Sequence, residues 1–429
     1  MTTDHPNRRQ ILKTTAAASA VAAVSFPHIA NAQGANNETI KVGLIGCGGR
    51  GTGAITQALK ADPNTTFWAA ADAFEAPLKR CANNVAALGE RAKVAPERQF
   101  VGLDAYQKLI DSGVDVVLLC GPPGFRPKHI QAATAAGKHM FIEKPMAVDP
   151  ASLRAVLKSA REAEAKGLSI QHGFCWRFAP GVIAGYEKVH SGDLGAVKSI
   201  YGTYLTSPVR PLANDAKKPE GMGDHEWHVA NWINFDYLSG GPILEQAIHT
   251  VDKVAWAMKD ALPIAAVANG GKIGRTDPGN VYDHNSVVYE YEGGVFAHVG
   301  QRQIPGCHNE VIDRVVCENG TMIGPGRCYT KDTSGKTTWR FSGEETNMYQ
   351  NEHDELFAAL RSGKQIKSAD YMCNSTGLAL LGTLAAYTGQ RVTWDEMMNS
   401  PLDLGPDDFA FEDDFTPGPL PIPGQFKIS

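Results

Sequence analysis

Ile40-Lys41-Val42-Gly43-Leu44-Ile45-Gly46-Cys47-Gly48-Gly49-Arg50-Gly51 is the stretch on which the fold turns. A short apolar run stops at glycines, as a strand buried in a parallel sheet does. Gly46 to Gly51 is a GxGxxG run, and a helix-like segment from Gly53 to Lys60 follows. Glycine there lets the chain turn sharply and lets backbone N–H groups approach a pyrophosphate at the helix N-terminus. Alone the run is weak evidence, because a glycine-rich turn that binds nothing looks the same. Asp72 strengthens it. It ends the next strand, Thr66 to Ala71, roughly 20 residues past the last glycine, where a carboxylate can bind the adenosine ribose hydroxyls. An acid at this place also repels a 2′-phosphate, which favours NAD over NADP.

Outward from this stretch the alternation continues. Val114 to Cys120 reads as a strand running into the breaker Gly121-Pro122-Pro123-Gly124. Pro127 to Ala136 reads as a helix stopped by Gly137, and His139 to Ile142 as a strand meeting Glu143-Lys144-Pro145. A helix opened by Asp149 and Pro150 and running through about Ala165, and a strand from Leu168 to Phe174, close the set. Strand–helix alternation predicts a doubly wound parallel sheet, an NAD(P)-binding Rossmann domain over residues 38–170. Past residue 175 the texture changes. Val197–Leu205, Ala265–Gly270, Ser286–Tyr291, Gly294–Gln301 and Val311–Glu318 read as strands, with a hairpin signal at Tyr289–Gly294. Residues 171–400 are therefore expected to form an α+β domain on a large, open, mostly antiparallel sheet. Helices return near Glu352–Arg361 and Ser375–Tyr387, and Glu352-His353-Asp354-Glu355 reads as a charged helix start. Residues 401–429 form a Pro- and Asp-rich tail expected to wrap a surface.

The whole chain bounds the function. Its 429 residues suffice for two cores, with 43% apolar and 20% charged residues. A formal net charge of −5, with no basic stripe interleaved with aromatics, argues against a nucleic-acid partner. No apolar run approaches the roughly 18–20 residues of a membrane span, so no membrane insertion is expected. Residues 1–32 read as an address. Asn7-Arg8-Arg9-Gln10-Ile11-Leu12-Lys13 resembles a twin-arginine signal, followed by an Ala-rich stretch and Ala30-Asn31-Ala32, which suits signal peptidase. A disordered amphipathic tail is the other reading. The signal reading implies periplasmic or other extracytoplasmic placement through the twin-arginine machinery, which carries folded proteins. Of eight cysteines, Cys47, Cys120 and Cys175 are expected as buried free thiols. A Cys307–Cys317 or Cys317–Cys328 bridge stays open.

Three elements carry chemistry. A lysine at a strand's C-terminal end, as in Glu143-Lys144-Pro145, points into the ligand crevice of such a sheet and can stabilise a hydroxyl losing its proton. In Gly240-Gly241-Pro242-Ile243-Leu244-Glu245-Gln246-Ala247-Ile248-His249-Thr250-Val251-Asp252, a helix would put Glu245 and His249 on one face, with Asp252 beyond. A histidine flanked by carboxylates is a tuned proton acceptor; a helix-capping ion cluster fits the spacing as well. In Gln171–Arg177, His172 is expected to touch cofactor and Arg177 to reach substrate, with structural roles as the alternative. Asp224-His225-Glu226-Trp227-His228 lacks the usual zinc spacing, so no metal is expected.

In this order, the GxGxxG run, the strand-end acid, Glu143-Lys144-Pro145 and the Gly240–His249 element resemble the Gfo/Idh/MocA sugar and cyclitol dehydrogenases, over roughly residues 38–400. The resemblance implies catalytic roles for Lys144 and His249. Glu245 stands where the family usually has Asp, and its role, orienting Lys144 or assisting proton transfer, stays open. It implies cofactor contacts from Gly46, Gly48, Gly49, Arg50, Gly51, Asp72, Pro122, Glu143 and His172, and substrate contacts from Arg177 and Trp232. The Gly121–Pro127 stretch looks like the variant of exported members, as do Trp232 and Tyr387-Thr388-Gly389-Gln390. A sugar substrate, a tightly bound NAD and a homo-oligomer through the open sheet are implied. Hydride transfer from a sugar CH–OH is the leading expectation. An NAD-dependent glycosidase or lyase working by transient oxidation and elimination is the alternative, and a non-catalytic sugar- or nucleotide-binding protein the third.

Overall fold

The computed structural model describes residues 38–406 and 410–429, so the expected signal in residues 1–32 lies outside the described residues. The opening stretch forms β1 (Ile40–Ile45), and the helix after it begins at Gly49, inside the glycine run rather than at Gly53. Next come β2 (Thr65–Asp72), β3 (Gln99–Val101), β4 (Val116–Leu119), β5 (His139–Ile142) and β6 (Ile170–His172). They form one parallel sheet in the order β3-β2-β1-β4-β5-β6. All four residues of β4 are buried, which is why it reads as an uninterrupted apolar run. The strand β3, three residues long, is too short to show in the sequence.

The second sheet contains β7 (Val197–Thr206), β8 (Ala265–Gly271), β9 (His284–Tyr291), β10 (Val295–Gln303), β11 (Glu310–Cys317), β12 (Gly320–Gly324), β13 (Tyr329–Asp332), β14 (Thr337–Arg340) and β15 (Val392–Thr393). Their order is β14-β13-β12-β11-β7-β10-β9-β8-β15. Only β7 and β10 pair in parallel; the rest are antiparallel. The alternation in β9, buried at every second residue, marks a sheet with one covered face. The helices Ile248–Ala257 and Ala369–Thr388 pack against that covered side, and the second is buried along almost its whole length.

The helix Met348–Ser362 returns to lie on Gly49–Ala61 of the first domain. It starts earlier than the expected charged start, and Glu352 and His353 are fully buried within it. The described residues after 400 run along the surface of the body. Leu404 N donates to Asp149 Oδ2 at 3.1 Å, Asn280 Nδ2 donates to Gly418 O at 2.9 Å and Tyr282 Oη to Pro421 O at 2.9 Å. All eight cysteines are free thiols; Cys307 is exposed while Cys317 and Cys328 are buried, so neither bridge forms. Among the described residues no helix is long and apolar enough to cross a membrane.

Candidate functional site

A cleft of about 410 Å³ opens past the carboxyl ends of β1, β2 and β4, where open parallel sheets bind their ligands. Gly46, Gly48, Gly49, Arg50, Asp72 and Pro122 line it. Gly46 has φ +93°, and a Cβ there would lie 2.4 Å from Gly121 N, so the turn tolerates only glycine. A Cβ on Gly48 or Gly49 would meet nothing within 4 Å, which leaves the turn's outer side open. Gly51 has a different task. Its Cβ would lie 1.9 Å from Gly46 O, so it lets the helix pack on the turn and does not line the cleft. The helix Gly49–Ala61 has no side-chain cap and no acid in its first turn, so its first N–H groups remain for an anion. The Asp72 carboxylate accepts from Cys47 N at 2.7 Å and Phe74 N at 2.9 Å, which ties two loops together at the rim. Open glycines, an uncapped helix start and a rim carboxylate fit a dinucleotide.

The cleft shares Arg50, Trp232, Glu245 and Gln246 with a second pocket of about 270 Å³. Lys144, at the end of β5, reaches into it. Its Nζ donates to the backbone carbonyl of Glu245 and lies 3.3 Å from Glu245 Oε1. Gly240 and Gly241, at φ +71° and +81°, end one short helix and launch the next. A single π-helical turn, Ile243–Ala247, then precedes the α-helix Ile248–Ala257, a distortion frequent at functional sites. Glu245 and His249, four residues apart across this turn, both line the pocket, and Glu245 meets Lys144 there. Burial first, then the Lys144 charge, pushes the His249 imidazole well below the ordinary 6.5, so the ring is neutral and its protonated form is disfavoured unless a negative charge enters the pocket. Its Nδ1 has no hydrogen-bond partner among the described residues. Burial raises the Glu245 carboxyl above 4.5, against the pull of Lys144 and Arg126.

Glu143 and Arg50 are paired to each other. Arg50 also meets Glu352 Oε1 at 2.6 Å and donates to Gln57 Oε1 at 2.8 Å. Burial would lower the Arg50 pKa, but Glu143 and Glu352 outweigh it and raise it. Arg50 is thus a clamp joining the glycine turn, the end of β5 and a late helix.

Three expectations are corrected. His172 does not line the cleft; it is buried against Phe174, Phe178 and Tyr371, accepts from Phe174 N at 3.3 Å, and is pushed down to about 3 by burial. Arg177 does not reach the Lys144 pocket. It pairs with Asp252 at 3.1 Å and Asp260 at 2.7 Å, over the Tyr371 ring. Asp252, which also accepts from Tyr371 Oη and Ser375 Oγ, is consequently turned away from His249. Their i+3 spacing in a helix could not reveal this, because the partners lie more than 70 residues away in sequence.

Other pocket residues escaped the sequence. Tyr204 on β7 stands with its ring 6.5 Å from that of His249, and Tyr349 and Gln246 line the same space. Arg126 is buried, donating to the carbonyls of Gly121 and Pro145. Only the odd Gly121–Pro127 stretch hinted at it. His225 and His228 face Ala410 O and Tyr237 Oη. Among the described residues no group of three His, Cys, Asp or Glu is placed to hold a metal.

Glycine turn, rim acid and lysine-bearing strand end together define an NAD(P)-dependent oxidoreductase, and comparison with known proteins agrees. Residues 40–172 match the GFO_IDH_MocA model, described as an oxidoreductase family with an NAD-binding Rossmann fold. The chain is 25% identical over 358 residues to the inositol 2-dehydrogenase of Rhizobium meliloti (strain 1021), covering 80% of this chain and 94% of that protein. It is 31% identical over 225 residues to scyllo-inositol 2-dehydrogenase (NAD(+)) of Bacillus subtilis (strain 168), covering 52% and 58%. The crystal structure of aldose-aldose oxidoreductase from Caulobacter crescentus, complexed with glycerol, shares the fold with TM-score 0.64 at 18% identity, over 83% of this chain and all of that one. Residues 40–172 thus resemble the NAD-binding domain of the Gfo/Idh/MocA oxidoreductases.

Proposed function

We propose that the chain reversibly oxidises a CH–OH group of a sugar or sugar derivative in the Lys144–His249 pocket. The observation that carries this is the convergence of Lys144, neutral His249 and Glu245 on a pocket contiguous with the dinucleotide cleft. NAD bound in the cleft supplies the hydride acceptor. His249 takes the hydroxyl proton. Lys144, held by the Glu245 carbonyl and carboxylate, stabilises the negative charge growing on the same oxygen. Trp232 borders both spaces and offers an aromatic face to sugar C–H groups. Asp72 at the rim favours NAD over NADP by repelling a 2′-phosphate. Relatives named for inositol and aldose oxidoreduction support a polyol substrate.

His249→Ala and Lys144→Met should each lower kcat about 10²–10⁴-fold, with NAD affinity kept. Rates over a panel of sugars and inositols, together with melting temperatures, test this. A His249→Ala protein that melts earlier but keeps its turnover ends the assignment, and NADP binding better than NAD ends the Asp72 argument.

Export through the twin-arginine machinery is a separate reading, supported by Arg8 and Arg9 ahead of an Ala-rich stretch. Changing both to lysine should leave unprocessed protein in the cytoplasm; fractionation that shows unchanged location refutes it. An oligomer through the open sheet is supported by the exposed Tyr201, Phe296 and Val316 on β7, β10 and β11. Sedimentation as a monomer would count against it.

A further inference from the structure

The walls of the nucleotide cleft are not all Rossmann residues. Between Asp72 and the Lys144 pocket the cleft is also lined by Phe74, Leu103, Phe125, Val229 and Trp232. These same side chains form one apolar cluster with Phe235, Tyr237, Phe411 and Phe415. Phe411 stacks on Phe74 with ring centroids 5.3 Å apart and planes 18° from parallel. Phe415 packs edge-on to Tyr237 at 4.8 Å and lies 5.0 Å from the His225 ring. The backbone fits as closely. His225 Nδ1 bonds Ala410 O at 2.8 Å, and a Cβ on Gly223 would lie 1.8 Å from Phe411 O. Chain on either side of this segment is fastened too, by Leu404 to Asp149 and by Gly418 to Asn280.

We propose that Ala410–Phe415 is part of the nucleotide site: by backing Phe74 at the adenosine end it makes the dinucleotide a resident group instead of an exchanging co-substrate. The proposal rests on the reading of the cleft as an NAD site. Phe411 does not itself line the cleft; it holds from behind the Phe74 ring that does, so loosening the stack loosens that wall. Aromatic stacks of this geometry add to the stabilisation from buried area, so the barrier acts on the off-rate. A resident nucleotide must be restored within each catalytic cycle or by a second substrate in the same pocket.

The test uses the full chain. Wild type, Phe411→Ser and the milder Phe411→Leu are purified, their nucleotide content measured after denaturation, and exchange against isotope-labelled NAD followed in time. Wild type should retain nucleotide through gel filtration. Phe411→Ser should exchange at least tenfold faster, with Phe411→Leu between the two. Equal exchange in folded wild type and Phe411→Ser overturns the proposal and leaves the NAD reading standing. Wild type exchanging within seconds also overturns it. No NAD binding by any of the three overturns both readings.

Discussion

The two ends of the cleft are built on opposite plans. Around the glycine turn the cleft offers backbone to a phosphate: two open glycines and a helix start, with the Asp72 carboxylate beside them, from β1, β2 and the turn between them. At the Lys144 end it meets ionisable side chains drawn from the end of β5, the π-turn, β7 and the helix Met348–Ser362. Phosphate recognition needs backbone geometry, which a short run of glycines can specify. Proton transfer needs charges set against one another in a buried space, and only tertiary packing can bring them together.

That contrast can be broken most directly at Arg177, which has the composition of a site residue and the geometry of a structural one. Arg177→Met should cost about 3–5 kcal/mol of stability, because Asp252 keeps only neutral partners in a fully buried position. Turnover per folded molecule should hold; denaturant titration beside initial rates checks both, and a rate loss without destabilisation would return Arg177 to the substrate.

A smaller effect is expected at Glu245. Its pKa is raised, so the carboxylate that holds Lys144 is lost as pH falls through a value above 4.5. The acid limb of kcat/KM should lie there, and Glu245→Gln should remove that limb while lowering the plateau about tenfold, roughly 1.4 kcal/mol. A pH–rate profile with the limb intact in the variant would clear Glu245 of this role.

The mildest contrast lies behind the site, at Asp236, which accepts from Tyr237 N and Asn280 Nδ2 and is raised to about 6 by burial. A raised carboxyl pKa favours the protonated folded form. The stabilisation is therefore complete below the ordinary 3.8 and lost as pH rises through about 6. Wild type should melt at lower temperature at pH 7 than at pH 5, and Asp236→Asn should flatten that dependence. A pH-independent wild-type melting temperature would contradict it.

The same contrast explains what was legible. The parallel sheet, the glycine turn and Lys144 were readable because β1, β4 and β5 are apolar runs ending at glycine or charge. His249 was found by its glycine-led motif, but the partners of Glu245 and Asp252 were not. The π-turn has no sequence code, and Arg177, Tyr371 and Ser375 reach Asp252 only in three dimensions. Glu352 was invisible as a site neighbour, since its link to Arg50 crosses 302 positions of chain.

One feature of the second sheet bears on how the molecule is made. β7 lies in the middle of it, yet both its neighbours, β10 and β11, begin only at Val295 and Glu310. During synthesis β7 leaves the ribosome with two unsatisfied edges and no partner until much of the chain has followed. Such a strand is a template for wrong pairings, and closing its long loops makes the sheet slow to form. Mutations that speed aggregation without touching the finished site are therefore expected to gather on β7.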